Sequence, residues 1–176
     1  MKVTISGMPG SGKSAVSRIL AEKLKFSVYD AGQIRREIAK RHDMTIEELN
    51  EVGKTQFWTD EECDVEISKI GKEQDDFFFV GRIAYHFIPD SVKIYLSCDL
   101  EVAAKRIMGD VNRGTERYEN IDHAVKKLAK RIQEDSNRYE KYYQIKYQDP
   151  SNFDLILDTT ELSIEEVTDY LIDFLK

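Results

Sequence analysis

Eight residues near the start of the chain form a glycine-rich loop that ends in a lysine and a serine, Gly7-Met8-Pro9-Gly10-Ser11-Gly12-Lys13-Ser14. Glycines at this spacing let several backbone N–H groups point inward at phosphate oxygens. Lys13 would then reach the β- and γ-phosphates, and the Ser14 hydroxyl would ligate Mg²⁺. The pattern predicts an ATP site with Mg²⁺; the alternative is a glycine turn that binds nothing. The predicted ATP-binding residues are Gly7, Met8, Pro9, Gly10, Ser11, Gly12, Lys13, Ser14 and Ala15.

The residues on either side of this loop predict the elements that position it. The apolar run Val3-Thr4-Ile5 before it predicts a buried strand, and apolar residues up to Leu24 after it are spaced for one helix face. The loop therefore joins a strand to the N-terminus of a helix, whose partial positive charge favours bound phosphate.

Five short apolar runs predict the strands of one sheet. Because the runs are continuously apolar and helical patterns separate them, we expect a parallel sheet covered on both faces, an α/β three-layer sandwich of the P-loop type. Two helix starts are explicit, since Thr45–Glu48 and Ser163–Glu166 fit capping boxes. The predicted strands are Lys2–Ser6, Phe26–Tyr29, Phe77–Val80, Val92–Ser97 and Phe153–Leu157.

Two stretches lie outside this sheet framework. Residues 31–76 are long for a simple crossover and predict a helical insertion that binds an acceptor substrate. Residues 109–117 are polar, carry Arg113 and Arg117, and predict a short lid; the alternative is a plain solvated loop. We expect one domain over residues 1–176, with its core in 1–30, 77–108 and 118–176.

Arginines follow two of the predicted strands. Arg36 comes just beyond the second strand, after Asp30-Ala31-Gly32, and Arg82 follows Gly81 directly after the third. Ligands of open α/β sheets bind at the carboxyl ends of strands, where the P-loop also begins. Because arginine binds phosphate oxygens in pairs, we predict a second phosphate site here. The neighbouring Arg35 fits a solvated surface charge at least as well.

Three polar residues farther along share one face of a predicted helix. Arg131, Asp135 and Arg138 are spaced i, i+4 and i+7. The aspartate can orient the arginines or accept hydrogen bonds from a base or sugar, and an intrahelical ladder of ion pairs explains the spacing equally well. The acidic run from Asp60 to Glu66 is expected on a solvated helix face.

Composition restricts the class of protein. The net charge of −7 argues against general nucleic-acid binding, which requires a basic surface, so an anionic ligand needs a local arginine cluster. The two cysteines lack metal-type spacing and are expected to be reduced thiols of a cytoplasmic protein. We expect no leader sequence, because the P-loop begins at residue 7, and no apolar run has membrane-spanning length. We also expect a monomer.

Several segments in combination resemble the cytidylate kinases of the short type found in archaea and some bacteria. The Asp-Ala-Gly…Arg-Glu element together with Arg-x-x-x-Asp-x-x-Arg is far more specific than the P-loop alone. The resemblance covers most of the chain, and its best segments are Val3–Ser14, Asp30–Glu37, Gly81-Arg82, Arg131–Tyr139 and Asp154–Thr159.

This resemblance implies transfer of the γ-phosphate of ATP to CMP or dCMP, with Mg²⁺. It implies that Lys13 serves the ATP phosphates, that Arg36 and Arg82 hold the acceptor phosphate, and that Arg131 and Arg138 stabilise the phosphates in the closed state. Asp135 would contact the nucleoside. Bacterial members usually carry serine at position 31 and an acidic residue at position 83, where this chain has Ala31 and Ile83, so the base preference stays open.

Other functions fit the same residues. The nearest is a P-loop kinase for another small acceptor, such as AMP, UMP or shikimate. A different class is a regulatory ATP-binding protein with slow ATPase activity, and a third is a degenerate member that binds nucleotide without chemistry. The third strand ends without an acidic residue, which argues against a mechanical ATPase, and the guanine signature Asn-Lys-x-Asp does not occur.

Overall fold

In a computed structural model of the protein, residues 1–110 and 118–176 are described. They form five β-strands, eight α-helices and one short 3₁₀ helix. The strands are β1 (Lys2–Gly7), β2 (Ser27–Asp30), β3 (Phe77–Val80), β4 (Val92–Ser97) and β5 (Leu155–Asp158). The helices are α1 (Lys13–Leu24), α2 (Ala31–Arg41), α3 (Ile46–Gly53), α4 (Trp58–Glu73), α5 (Ala84–Phe87), α6 (Leu100–Gly109), α7 (Ile121–Tyr143) and α8 (Ile164–Leu175), with the 3₁₀ helix at Pro150–Asn152.

The strands form one parallel sheet in the order β2-β3-β1-β4-β5. This confirms the predicted parallel sheet. Because every strand points the same way, the carboxyl ends of all five lie at one edge, which therefore carries the P-loop, Ala31, Arg82, Cys98 and Thr159.

Alternate side chains of the interior strand β3 pack on opposite faces of the sheet. Phe78 joins a core with β1 and helices α1 and α8. Phe77 and Phe79 join a second core with helices α2, α3 and α4. Because all four residues of β3 are buried, the strand has the continuous apolar pattern from which it was predicted.

Three strands have bounds that differ from the sequence prediction: β1 ends one residue later, and β2 and β5 both begin and end later. Phe26 precedes β2, and its ring packs on Phe78 with centroids 5.6 Å apart. Phe153 precedes β5 and packs between Tyr85 and Tyr95. Both phenylalanines pack against a face of the sheet and do not pair within it. Their apolar side chains therefore extended the predicted strands beyond the true ones. The edge strands β2 and β5 are also partly exposed, since each has a neighbour on one side only.

The predicted insertion between β2 and β3 consists of α2, α3 and α4, which pack on one another and on Phe77 and Phe79. Both predicted capping boxes are present, at Thr45 and at Ser163. Of the predicted lid, Gly109 ends α6, and residues 111–117 lie outside the described ranges. In the parts of the chain described, no helix combines the length and the apolarity needed to cross a bilayer.

Candidate active site

The P-loop joins β1 to α1, as predicted. Gly7, Gly10 and Gly12 all have positive φ angles, at 143°, 81° and 89°. A Cβ atom on Gly7 would lie 2.2 Å from the Leu96 carbonyl oxygen, and one on Gly10 would lie 2.6 Å from that of Ala103. The loop therefore requires glycine both for its backbone angles and for its close approach to β4 and α6.

Helix α1 begins without a side-chain cap. Its N-cap residue, Gly12, offers no side-chain acceptor to the first free N–H groups of the helix. The Lys13 ammonium donates a hydrogen bond to the Met8 carbonyl oxygen and so reaches across the loop. Uncapped N–H groups, a helix N-terminus and a lysine at one place form the chemistry that binds a triphosphate.

The loop after β5 is tied to the P-loop. The Thr159 hydroxyl lies 3.2 Å from the Ser11 carbonyl oxygen and 2.9 Å from that of Ser97. Arg106 of α6 donates to the Thr159 carbonyl oxygen at 2.7 Å and to its hydroxyl at 3.2 Å. Sequence analysis did not single out Arg106 or Thr159, because no local pattern shows that residues 53 positions apart meet.

Arg82 lies at the end of β3, where it was predicted. The Ser6 hydroxyl of β1 donates to the carbonyl oxygens of Gly81 and Arg82, at 2.9 and 3.1 Å, and so fixes this turn. The Arg82 side chain is 20% exposed, and its Nε lies 2.9 Å from Oδ2 of Asp135 on α7. Burial lowers the pKa of Arg82, but Asp135 and nearby tyrosines outweigh it and raise the pKa, so the guanidinium stays charged.

The structure brings together Arg82, Asp135 and Arg138 of the predicted set. Asp135 Oδ1 accepts a hydrogen bond of 3.2 Å from Arg138 Nη2, three residues on in the same helix. Asp135 therefore forms one ion pair with Arg138 within α7 and another with Arg82 at the end of β3. Arg131, four residues before Asp135, is exposed.

Five polar atoms in and around this cluster are buried and lack a hydrogen-bond partner among the described residues. Arg82 Nε and Asp135 Oδ2 are among them, because their 2.9 Å separation does not have hydrogen-bond geometry. Unpaired buried polar atoms are rare and commonly mark a place where a ligand or ordered water binds. The five are Arg82 Nε, Tyr85 Oη, Asp135 Oδ2, Arg138 Nε and Tyr147 Oη.

Asp60 and Arg35 correct the sequence interpretation. Asp60 is only 5% exposed rather than on a solvated face, and its Oδ1 lies 3.3 Å from Arg35 Nη1 and 3.5 Å from Arg138 Nε. The Arg35 side chain is 13% exposed and also donates to Asn50 and to the Thr59 carbonyl oxygen. The burial of Asp60 was not predicted, because its neighbours in sequence are acidic. Asp60 lies on the inner face of α4, whereas Glu61 is exposed.

Arg36 lies in α2 but outside this cluster. It is exposed, and it makes no ion pair with residues of the ranges 1–110 and 118–176. Asp30 caps α2 by accepting from the Gln33 N–H at 3.0 Å, so the turn that carries Arg36 begins at the carboxyl end of β2. Arg113 and Arg117, the predicted lid arginines, lie outside the described residues.

Ser14 suits the predicted Mg²⁺ role in its chemistry. It is the second residue of α1 and is exposed, so its hydroxyl faces solvent next to the uncapped helix start. Mg²⁺ prefers oxygen ligands and is usually held by one or two protein groups together with substrate phosphates and water.

Comparison with known proteins identifies the class to which this fold and site belong. The solved shikimate kinase of Bacteroides thetaiotaomicron superposes on this structure with a TM-score of 0.67 at 14% identity. The match covers 99% of this chain and 98% of that one, and it shows that the two proteins share a P-loop kinase fold and no more. The model of the Cytidylate kinase-like family matches residues 2–161, and the chain belongs to this family.

Curated relatives agree with this assignment. A cytidylate kinase of Sulfolobus acidocaldarius is 37% identical over 175 residues, which cover 98% of this chain and 92% of the relative. A cytidylate kinase of Methanocella arvoryzae is 34% identical over 179 aligned positions, which cover 100% of this chain and 99% of the relative. The resemblance stated from the sequence is thereby confirmed, whereas the likeness to shikimate kinase is one of fold.

Proposed function

We propose that this chain transfers the γ-phosphoryl group of ATP to CMP or dCMP and releases ADP with CDP or dCDP. One observation carries the proposal: in a chain of this family, the P-loop and the Arg82–Asp135–Arg138 cluster lie at the same edge of the sheet. Two anion sites at one edge suit a reaction that joins two phosphates.

In the proposed mechanism, residues 7–15 hold the ATP phosphates and Lys13 neutralises the β- and γ-phosphates. An oxygen of the acceptor phosphate attacks the γ-phosphorus as the bond to the ADP oxygen breaks. The acceptor phosphate is already an anion, so no general base is needed. Catalysis then depends on position and charge, which the arginines supply.

Arg36, within the proposed acceptor-binding insertion of residues 31–76, and Arg82, at the end of β3, are the proposed ligands of the acceptor phosphate. Asp135 is the proposed contact to the nucleoside, because its buried Oδ2 is an acceptor without a hydrogen-bond partner. Arg131 and Arg138 are proposed to stabilise the transferring group. Arg113 and Arg117 of the proposed lid, residues 109–117, would exclude water when the lid closes and so prevent ATP hydrolysis.

Ser14 would hold Mg²⁺, which neutralises charge on the ATP phosphates when bound. ATP and a nucleoside monophosphate are the proposed partners, without nucleic acid or membrane. We propose a monomer that acts in the cytoplasm. Burial raises the pKa of Cys63 to about 12, so this thiol stays protonated at neutral pH.

A coupled ADP-release assay tests the proposal. ATP·Mg²⁺ is supplied with CMP, dCMP, UMP, AMP, GMP or shikimate in turn, beside a reaction without acceptor. We expect CMP or dCMP to stimulate ADP release most. Preference for another nucleotide would keep the mechanism and change the substrate, and slow release that no acceptor stimulates would refute a nucleotide kinase.

A further inference from the structure

Five buried or half-buried charged side chains form a continuous chain of alternating sign through the protein. In order they are Arg35, Asp60, Arg138, Asp135 and Arg82. The closest nitrogen-to-oxygen distances along it are 3.3, 3.5, 3.2 and 2.9 Å. The chain starts in helix α2 of the insertion and ends at the carboxyl end of β3, beside the P-loop strand β1.

Stability alone does not account for this arrangement. Removing charges from water is costly, and well-packed apolar residues at such positions are often as stable or more stable. Both aspartates are about 95% buried, with 5% and 6% exposure for Asp60 and Asp135. Three arginines against two aspartates also leave one positive charge in excess, although the whole protein carries −7. The neighbouring Asp64, whose pKa burial raises to about 7, offsets only part of this excess at neutral pH. An excess positive charge at this edge of the sheet fits the binding of an anion.

Asp60 is the member that joins the two halves of the chain. It lies in α4, within the insertion, and its Oδ1 atom lies 3.3 Å from Arg35 Nη1 and 3.5 Å from Arg138 Nε. The pKa of Arg138 is lowered by burial, but Tyr139, Asp60 and Asp135 together raise it above its ordinary value. Arg138 is therefore held by a carboxylate from the insertion on one side and by one from its own helix on the other.

The contacts of Arg138 leave part of its guanidinium for a ligand. Within the described part of the chain, both of its hydrogen bonds leave from Nη2, to Asp135 and to the Tyr139 hydroxyl. Its Nε is buried without a hydrogen bond and lies 3.5 Å from Asp60 Oδ1. Asp60 thus acts on Arg138 by charge and position, and does not occupy its remaining N–H groups.

We infer that Asp60 is a positioning residue, which holds the Arg138 guanidinium at the angle needed to meet the transferring phosphoryl group. Because Asp60 belongs to the insertion and Arg138 to α7, the placement of Arg138 depends on the placement of the insertion. The insertion is the proposed acceptor site, so acceptor binding and transition-state charge stabilisation are coupled through this carboxylate. The inference rests on the proposed function for the identity of the reaction.

A double-mutant cycle in kcat tests this role directly. Asp60→Asn keeps the shape of the side chain and removes its charge, and we expect kcat to fall by about tenfold or more with KM for ATP changed by less than about twofold. In an Arg138→Lys background, the same substitution is expected to change kcat by less than about threefold, because the positioned group is already gone. An equal factor in both backgrounds would overturn the inference.

A second pair of variants separates positioning from a purely structural role. Asp60→Asn alone leaves Arg35 buried without its carboxylate, which can destabilise the fold. In the double variant Arg35→Gln/Asp60→Asn that unpaired charge is removed, so stability is expected to recover while kcat remains low. Recovery of kcat together with stability would mean that Asp60 serves only as the partner of Arg35.

Controls keep the two proposals distinguishable. Glu62→Gln changes a more exposed acid of the same helix, paired with His42, and is expected to leave kcat unchanged. The fluorescence of Trp58, two residues from Asp60 and the sole tryptophan of the chain, reports whether the insertion remains folded. If the wild-type protein shows no acceptor-dependent turnover, the proposed function fails. If it turns over and the cycle is additive, only the role of Asp60 fails.

Discussion

The Asp135 carboxylate lies 2.9 Å from Nε of Arg82, so helix α7 and the end of strand β3 meet in one buried ion pair. The two residues are 53 positions apart in the chain. The pair places an arginine beside the strand end that carries the proposed acceptor site, and it makes that arginine important for stability as well as for binding.

Replacing Arg82 is expected to affect both properties. Arg82→Gln leaves the Asp135 carboxylate without its strand-side partner, and we expect the free energy of unfolding to fall by about 2–3 kcal/mol. The KM for the acceptor should rise. Urea denaturation and initial rates measure the two effects. In Arg82→Gln/Asp135→Asn, stability should recover and turnover should not; recovery of both would show that Arg82 has a structural role only.

Gly10 is expected to tolerate no side chain. Gly10→Ala puts a Cβ atom 2.6 Å from the Ala103 carbonyl oxygen, on a backbone with φ of 81°. We expect a loss of at least about 2 kcal/mol in unfolding free energy, together with weaker ATP binding. Gly109→Ala is the matched control, since its Cβ would meet no described atom within 4 Å. Similar losses in both variants would contradict this account of the P-loop.

Lys13 is expected to matter for turnover far more than for folding. Its ammonium donates a hydrogen bond to the Met8 carbonyl oxygen, and the loss of such a bond costs about 1 kcal/mol, so Lys13→Ala should lower stability only modestly. Turnover should be abolished, because the charge on the transferring group is no longer neutralised. Lys23→Ala, at an exposed site of the same helix, should keep full activity. Normal turnover by Lys13→Ala would refute the site.

Asp64 should make stability depend on pH. Burial raises its pKa from the ordinary 3.8 to about 7, while its hydrogen bond from Tyr143 opposes the shift. The folded protein therefore binds this proton more tightly than the unfolded chain, and the contribution of Asp64 to stability is lost as pH rises from about 4 to about 7.

Asp64→Asn should remove this dependence. Because the side chain is partly exposed, we expect the variant to gain about 1–2 kcal/mol over the wild type at pH 8 and almost nothing at pH 4. Chemical denaturation across this pH range measures the difference, and Glu62→Gln supplies a more exposed control. A constant difference between variant and wild type at every pH would contradict the raised pKa.

Much of the fold could be predicted from local sequence. The glycine spacing of residues 7–14, the apolar run of β3 and the capping boxes at Thr45 and Ser163 each have a local physical cause, and each was found as predicted. The errors at Phe26 and Phe153 have one origin: an apolar residue beside a strand packs on the sheet without belonging to it.

The candidate site was only partly predictable. Arg82, Asp135 and Arg138 were identified from strand ends and helix spacing, but Asp60, Arg35, Arg106 and Thr159 were not. Asp60 lies within an acidic run whose composition is that of a solvated face, yet its carboxylate lies 3.5 Å from Arg138, which is 78 residues away in the chain. No local pattern contains that relationship.

By itself, the sequence determined what each segment can do: which loop can bind phosphate, which runs become strands and which residues carry permanent charge. These properties follow from side-chain chemistry and from the short-range geometry of the backbone. Only the tertiary structure decided which charges meet. Five charged residues from α2, α4, α7 and the turn after β3 form one chain because parallel strands bring their carboxyl ends to one edge and the insertion packs beside it. Burial then strengthens interactions that water would screen.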